Sequence, residues 1–527
     1  MSSGYAPHRK LGSAHAKPFT KQPHNTARIG EIVHRFDHYL LDSVADFMGL
    51  IMRKLSSIVV SALLALASNA FAANVANIFQ AAVENDPVIG AAKQQYAARQ
   101  EVVPQARAGL LPNIALNGST GKNRLEYPDG QFIDTNPTSP TFGQLGGIPG
   151  QDFDQHNWQA QLVQPIVDVA AYQTYQGAKA LKAQAKQDYA ASEQNLIVRT
   201  VSAYLDVLRS QAVLESTTAE EAAVKRQQEQ VQQRFDVGLV AITDVLEAAA
   251  VYDNVVVRRI QAERDQGIAF ETLYTLTGAS YDEVDRLSAS LPIVNPASVD
   301  ENEWVAIALA NNPSVLASRD ARTAAERDLR ARQAGHLPTI DAVASYNENV
   351  NKYEPLAGGQ AFLGDQTNTR VYALQMQLPI YQGGFTSSKV REARARLLQS
   401  SELLRNNEWT VSRDTRNLLR AVTTDVIRVQ ARIKAIKSGE SALEATQTGY
   451  EVGTRNIVDV LQAQQRLFLS QFDYADSRYN FVRDLLLLKQ SAGTLTGDDV
   501  ATLNSYTDPQ LPVRRITTIT EVGVSAQ

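Results

Sequence analysis

"DVGLVAITDVLEAAA", residues 236–250, and "EVGTRNIVDVLQAQQ", residues 451–465, are near-echoes of one another. In register both carry Val-Gly, then Ile, then Asp-Val-Leu, then Ala. Each glycine stands between two long tracts without proline. Gly238 and Gly453 supply the positive φ at which a helix stops and reverses. The chain therefore predicts two hairpins of long helices. The tract before the first tip, 168–235, has no proline. At 1.5 Å per residue it spans about 100 Å, too long for a globular core, so it belongs to a coiled coil or a tube. Its apolar residues Val201, Tyr204, Leu205, Leu208 and Val213 recur at helical spacing.

The echo extends beyond the tips. Residues 84–114 align without a gap on the stretch that ends at 340; Pro87 falls on Pro313 and Leu111-Pro112 on Leu337-Pro338. Gln164-Pro165-Ile166 matches Leu378-Pro379-Ile380, and each copy closes on Thr-Leu-Thr-Gly, at Gly278 and Gly497. This is an internal duplication. The expected parts are an upstream extension 1–51, a leader 52–72, repeats 73–298 and 299–497, and a loosely packed polar tail 498–527.

Each repeat reads as helix, strand, loop, strand, very long helix, tight turn, long helix. Trp158, Ala160 and Leu162 alternate with Gln159 and Gln161; Tyr372, Leu374, Met376 and Leu378 alternate with Ala373, Gln375 and Gln377. Period two means a sheet with one apolar and one polar face. The joining loops are placed at 121–156 and 350–369. The apolar faces have no second sheet to meet, and such strands fit a transmembrane barrel. Open sheet edges do not exist in lipid, and four strands close no useful barrel, so several chains must contribute. Three chains would supply twelve strands.

Composition narrows the function. The 527 residues carry a formal charge of −5, which disfavours nucleic acid as a partner. With no cysteine, disulfides, thiolate zinc sites and cysteine nucleophiles are excluded. His156 and His336 lack metal-ligand spacing, and there is neither a G-x-S-x-G nor a P-loop. No enzyme and no cofactor are expected. Near the start, Met52-Arg53-Lys54, an apolar run over 58–67 and Ala70-Phe71-Ala72 form a secretory signal pattern with Ala73 as the first mature residue.

With its paired tips "RFDVGLVAITDV" and "GYEVGTRNIVDVL", the chain resembles the TolC family of outer-membrane channel-tunnel proteins over about 75–500. The resemblance implies a mainly α fold with a small β part. A long α-helical coiled-coil barrel would run on from a transmembrane β-barrel of four strands per chain, twelve in a homotrimer. It implies a passive exit duct for drugs or secreted proteins, set in outer-membrane lipid and reaching into the periplasm. A periplasmic adaptor and an inner-membrane efflux pump or ABC secretion translocase would dock at the helical end, around Val237, Gly238, Val452 and Gly453.

The resemblance also implies roles at the tips. Thr243, Asp244, Tyr450 and Arg455 fall on positions that link neighbouring hairpins and hold a periplasmic gate shut. Asp459 falls on a carboxylate ring at the narrowest aperture. One turn further on the family pattern has a second aspartate, and here Gln462 stands in its place. That departure implies weaker cation selectivity. Chemistry alone also allows plainer roles: first-turn acids favour the helix dipole, and Arg455 suits a solvated surface. A periplasmic or surface coiled coil without a pore is the competing reading.

Overall fold

A computed structural model describes residues 73–126, 131–133, 135, 137–147, 151–353 and 366–517. The expected extension 1–51 and leader 52–72 lie outside these residues. In chain order the helices are α1 (Val75–Asn85), α2 (Pro87–Gln100), α3 (Val102–Ala108), α4 (Val169–Asp236), α5 (Ile242–Thr277), α6 (Glu301–Asn311), α7 (Pro313–Ala334), α8 (Phe385–Glu451), α9 (Ile457–Ser491) and α10 (Gly497–Asn504). The strands are β1 (Asn113–Leu125), β2 (Gln131–Ile133), β3 (Leu145–Gly147), β4 (Gln151–Val167), β5 (Glu283–Leu287), β6 (Thr339–Tyr353), β7 (Gln366–Gln377) and β8 (Thr507–Arg514). The fold is mainly helical with a small antiparallel β part.

The long helices form as read. α4 has 68 residues and α8 has 67. Asp168 caps α4 by accepting from the Ala171 amide at 2.8 Å. The second helix of each repeat has a capped proline start: the Asp86 carboxylate accepts from Val88, the Asn312 side-chain oxygen from Ser314, and Pro87 and Pro313 begin the helices. Proline suits that position because its missing N–H had no intrahelical partner.

Four strands form one antiparallel sheet in the order β1-β4-β6-β7. Its register aligns Ile114, Leu162, Ala344 and Tyr372 in one row across the sheet. Cross-strand partners share a face, so the two apolar stripes read from the sequence become one surface. Nothing else among the described residues covers it: Tyr372 is 81% exposed and Leu374 76%. The opposite face carries an amide ladder, with Asn123 Nδ2 donating to Gln155 Oε1 at 3.0 Å and Gln155 Nε2 to Asn349 Oδ1 at 3.1 Å. Gly118 leaves room for the Trp158 ring, which a Cβ there would strike.

Several boundaries differ from expectation. The strands run further into the loops, to Leu125 and Tyr353 and from Gln151 and Gln366, because strand pairing continues past the apolar stretch, with Tyr353 paired to Phe153 of β4. β2 and β3 form a small hairpin in the first loop. Pro165 lies inside β4, beside a register shift between Pro165 and Val167 that accommodates its missing donor.

The tail is also corrected. Residues after 497 were expected to pack loosely, yet α10 and β8 bury Val500, Leu503 and Val513 in the main core. That core gathers Val75 and Ile78 of α1, Tyr204 and Leu208 of α4, Phe270 and Leu273 of α5, Leu419 and Val422 of α8, and Phe481 and Leu488 of α9. β8 pairs with β5, and Ala73 bridges the other side of β5. The Tyr204 hydroxyl donates to the Asp285 carbonyl at 2.6 Å. Thr496 and Asp499 form a capping box that starts α10. The first and last described segments therefore close one core with both hairpins.

Candidate functional site at the hairpin tips

The two tips have one backbone design. Gly238 has φ 77° and Gly453 φ 79°. At the first, Leu239 N–H donates to the Arg234 carbonyl and Gly238 N–H to Phe235, both at 2.8 Å. At the second, Thr454 N–H donates to the Gly449 carbonyl at 2.8 Å and Gly453 N–H to Tyr450 at 3.1 Å. These bonds satisfy carbonyls that the ending helix leaves open, and they need a left-handed residue between them. Val237 and Val452, the residues before each glycine, are exposed, as are Leu239 and Thr454 after them.

Beneath the turns an apolar cluster joins the hairpins. Val224 and Val231 of α4, Val245 and Val255 of α5, Tyr450 of α8, and Ile457, Val460 and Leu461 of α9 pack together. The register of the duplicated motif explains it. The Asp-Val-Leu of each copy sets Val245 and Val460 one residue after the aspartates, on the inward face.

The sequence-predicted residues divide between this cluster and its rim. Tyr450 is buried; the Arg234 guanidinium lies over its ring at 4.9 Å, and its hydroxyl is enclosed without a hydrogen-bond partner among the described residues. Thr243 is exposed and Asp244 half-buried in the first turn of α5. Arg455 is exposed and reaches Asp459, one turn along, with Nη1 to Oδ2 at 3.7 Å. The structure thus brings Arg455 to Asp459 of its own hairpin and not to Asp244. Gln462 is exposed, three residues beyond Asp459 and so on the same side of α9.

Two residues escaped the sequence reading. Asn456 caps α9, its Oδ1 accepting from the Asp459 amide at 2.8 Å, and so fixes the aspartate's first turn. Arg234 makes the stacking contact with Tyr450. An Asn three residues before an acid was a legible capping signal; a contact across hairpins had no signal in one sequence. No group of three or more metal-ligating side chains is found among the described residues.

A long-helix hairpin pair joined to a four-stranded sheet with a bare apolar face defines a class of membrane duct. Comparison agrees. The pattern described as "Outer membrane efflux protein" matches residues 78–279 and 304–494. The chain is 32% identical over 455 residues to outer membrane protein TolC of Vibrio cholerae, covering 86% of this chain and 98% of that one. It is 32% identical over 462 residues to outer membrane protein TolC of Escherichia coli, covering 86% and 89%. The solved outer membrane protein VceC of Vibrio cholerae shares the fold, with a TM-score of 0.64 at 18% identity over 80% of this chain and 96% of that one.

The chain belongs to the outer membrane efflux protein family, the TolC-type channel-tunnels. It is an exit duct for efflux or secretion, located in the outer membrane and reaching through the periplasm, and it is not an enzyme. Proteins of this family generally act as homotrimers with adaptor and inner-membrane pump partners.

Proposed function

We propose that three copies of this chain, each mature from Ala73 and built of repeats 73–298 and 299–497, close a twelve-stranded barrel and a helical tunnel. The sheet carries this reading. Its edge strands β1 and β7 are both exposed, and its apolar face is uncovered. Open edges are not tolerated in lipid unless they pair, and a bare apolar face of this extent is unfavourable in water. The chain supplies its own template: β4 pairs with β6 where repeat one meets repeat two. The same junction between copies would join β7 of one to β1 of the next. The apolar row then faces outer-membrane lipid and the amide ladder lines a wet lumen.

At the other end the tips form a gate. Arg455 and Thr243 are exposed and Asp244 half-buried, which supports a rim role where neighbouring hairpins would meet. An arginine fork can bridge a carboxylate and a hydroxyl across such a seam. The Arg455–Asp459 contact is long and exposed, so it costs little to exchange for an intermolecular partner. Tyr450 would have to leave its enclosed position to join the link, so Arg455 carries most of it. Asp459, repeated threefold, gives one acidic ring, with Gln462 leaving the next turn neutral. The adaptor would dock along the tips at Val237, Gly238, Val452 and Gly453. The pump, an efflux pump or an ABC translocase, supplies the energy, and drugs or secreted proteins pass through.

Single-channel conductance in a planar bilayer tests the proposal, wild type beside Arg455→Ser and Arg455→Ser/Tyr450→Phe. The expected result is a small wild-type conductance that rises severalfold in both variants. Unchanged conductance would remove the gate from these tips. A heat-resistant trimer that never conducts would favour a structural coiled coil.

A further inference from the structure

The two hairpins differ at one height on their inner seams. Counted from the tip glycines, Gln211 and Gln266 of the first hairpin stand at nearly the same level as Asp425 and Asp484 of the second. In the first, Gln266 Nε2 donates to Gln211 Oε1 at 2.6 Å, and α4 is tied to α5 by a neutral amide pair. In the second, two carboxyl groups oppose each other.

Asp425 is 1% exposed, within the part of α8 that gives Leu419, Val422 and Val426 to the main core. Its Oδ1 accepts from Arg428 Nη1 at 2.7 Å. Its Oδ2 is buried with no donor. Asp484 of α9 lies within hydrogen-bonding reach of it. Two ionised carboxylates have only acceptors between them, so that oxygen is satisfied only when one of the pair holds a proton.

Among the described residues no other donor reaches that oxygen. From α8 the facing cation is Arg428, already on Oδ1. From α9 it is Arg483, whose Nε stands 3.6 Å from Asp484 Oδ1. On α4, burial pushes the Asp206 carboxyl up against the pull of Arg209 and Arg483, while Arg209 Nε pairs with Asp476 at 2.7 Å. On α6, Glu301 pairs with Arg420 at 2.7 Å. Burial first, then the Asp484 charge, push the Asp425 carboxyl up to about 6, against the opposing pull of Arg428 and Arg483.

The geometry points to one proton shared between Asp425 and Asp484 that latches α8 to α9, a pH-responsive clasp in the second hairpin where the first has a fixed amide pair. The proton comes from solvent and returns to it. When the seam opens, Asp425 regains an ordinary carboxyl near 3.8. Between that value and about 6 the closed seam binds a proton that the open seam lacks. Its protection therefore falls as pH rises through this window and levels off above it.

Hydrogen exchange of the purified full-length protein in detergent micelles reads this directly, after correction for the intrinsic rate at each pH. Peptides from 419–429 and 480–488 report the second seam; peptides from 205–214 and 262–270 report the first. From pH 5 to pH 7.5 the second seam should lose about tenfold in protection, the factor that one unit of pKa carries. The first seam, whose Gln211–Gln266 pair does not titrate, should change less, with the raised Asp206 giving it a smaller slope of the same sign. Asp425→Asn and Asp484→Asn, each keeping an amide donor, should flatten the slope. A wild-type second seam without slope overturns the clasp, and this reading needs no variant to fold. So does a slope shared equally by both seams, or one that persists in both variants.

Discussion

The first and second hairpins share a backbone and differ in what is hung on it. Their turns begin after Asp236 and Glu451, and their returning helices begin at Ile242 and Ile457, each pair 215 residues apart. Their glycines take the same φ to within a few degrees. Yet the first tip has Ala241 at the start of its returning helix with no side-chain cap, where the second has Asn456 capping Asp459. The first has Val240 in its cluster, where the second has an exposed arginine. Turn geometry depends on one glycine and two backbone bonds, so it survives almost any change in the neighbours. Charge and capping belong to single side chains, so each copy is free to specialise.

The comparison is sharpest at the top of the hairpins. Both copies end on Thr-Leu-Thr-Gly, which suggests that Gly278 and Gly497 are equivalent. They are not. Gly278, with φ 67°, ends α5; the residue 215 further on is Gly493, with φ 71°, which ends the turn after α9. Gly497 instead begins α10. A Cβ on Gly278 would meet Asn85 Cβ at an ordinary 3.7 Å, whereas one on Gly493 would run into the carbonyl of Asn311. Gly278→Ala should cost about 1 kcal/mol, the left-handed penalty alone. Gly493→Ala should cost about 3 kcal/mol or more, because overpacking against backbone adds to it. Thermal melting in detergent separates the two; equal losses would mean that Asn311 yields easily.

At the tips the difference becomes electrical. Asp459→Ala removes the carboxylate nearest the expected aperture, and Gln462 has no charge to replace it. The reversal potential across a salt gradient should move toward zero. Asp244→Ala, on the corresponding turn of the first hairpin, should move it less, since that residue is expected in a link rather than in the ring. Equal shifts from both would break the assigned division of labour.

Much of this was legible in the sequence, for particular reasons. The long helices announced themselves because proline is absent and apolar residues keep one spacing for many turns. The strands showed because glutamine and apolar residues alternate so regularly from Trp158 to Leu162 and from Tyr372 to Leu378. The tail was misread because its order comes from elsewhere. Gln266 of α5 donates to the Arg514 carbonyl at 2.8 Å and accepts from the Ile516 amide at 3.0 Å, contacts across some 250 residues. Eight-residue elements carry too little periodicity to reveal such a partner. Tyr450 was legible as a tip residue but not as a buried one. Its ring is enclosed by the other hairpin, and no spacing within its own copy encodes that.

The smallest expected effect tests the comparison in both directions. Ala241 and Asn456 occupy one position in the two copies, with extended backbones of φ −80°, ψ 156° and φ −94°, ψ 169°. That conformation suits an N-cap whose side-chain oxygen reaches the third amide of the helix. Asn456→Ala should therefore cost about 1 kcal/mol of local stability at the second tip. Ala241→Asn should return part of that, about 0.5 kcal/mol, at the first, by offering Oδ1 to the Asp244 amide. That amide now donates to the Ala241 carbonyl at 3.1 Å, so the new cap would share a donor already in use and gain less than the old one loses. Exchange rates of the tip amides measure both. If Ala241→Asn gives no protection, the two turns are less alike than their glycines suggest, and the difference lies in the residue just before the cap: Val240, drawn into the cluster, against Arg455, turned out to solvent.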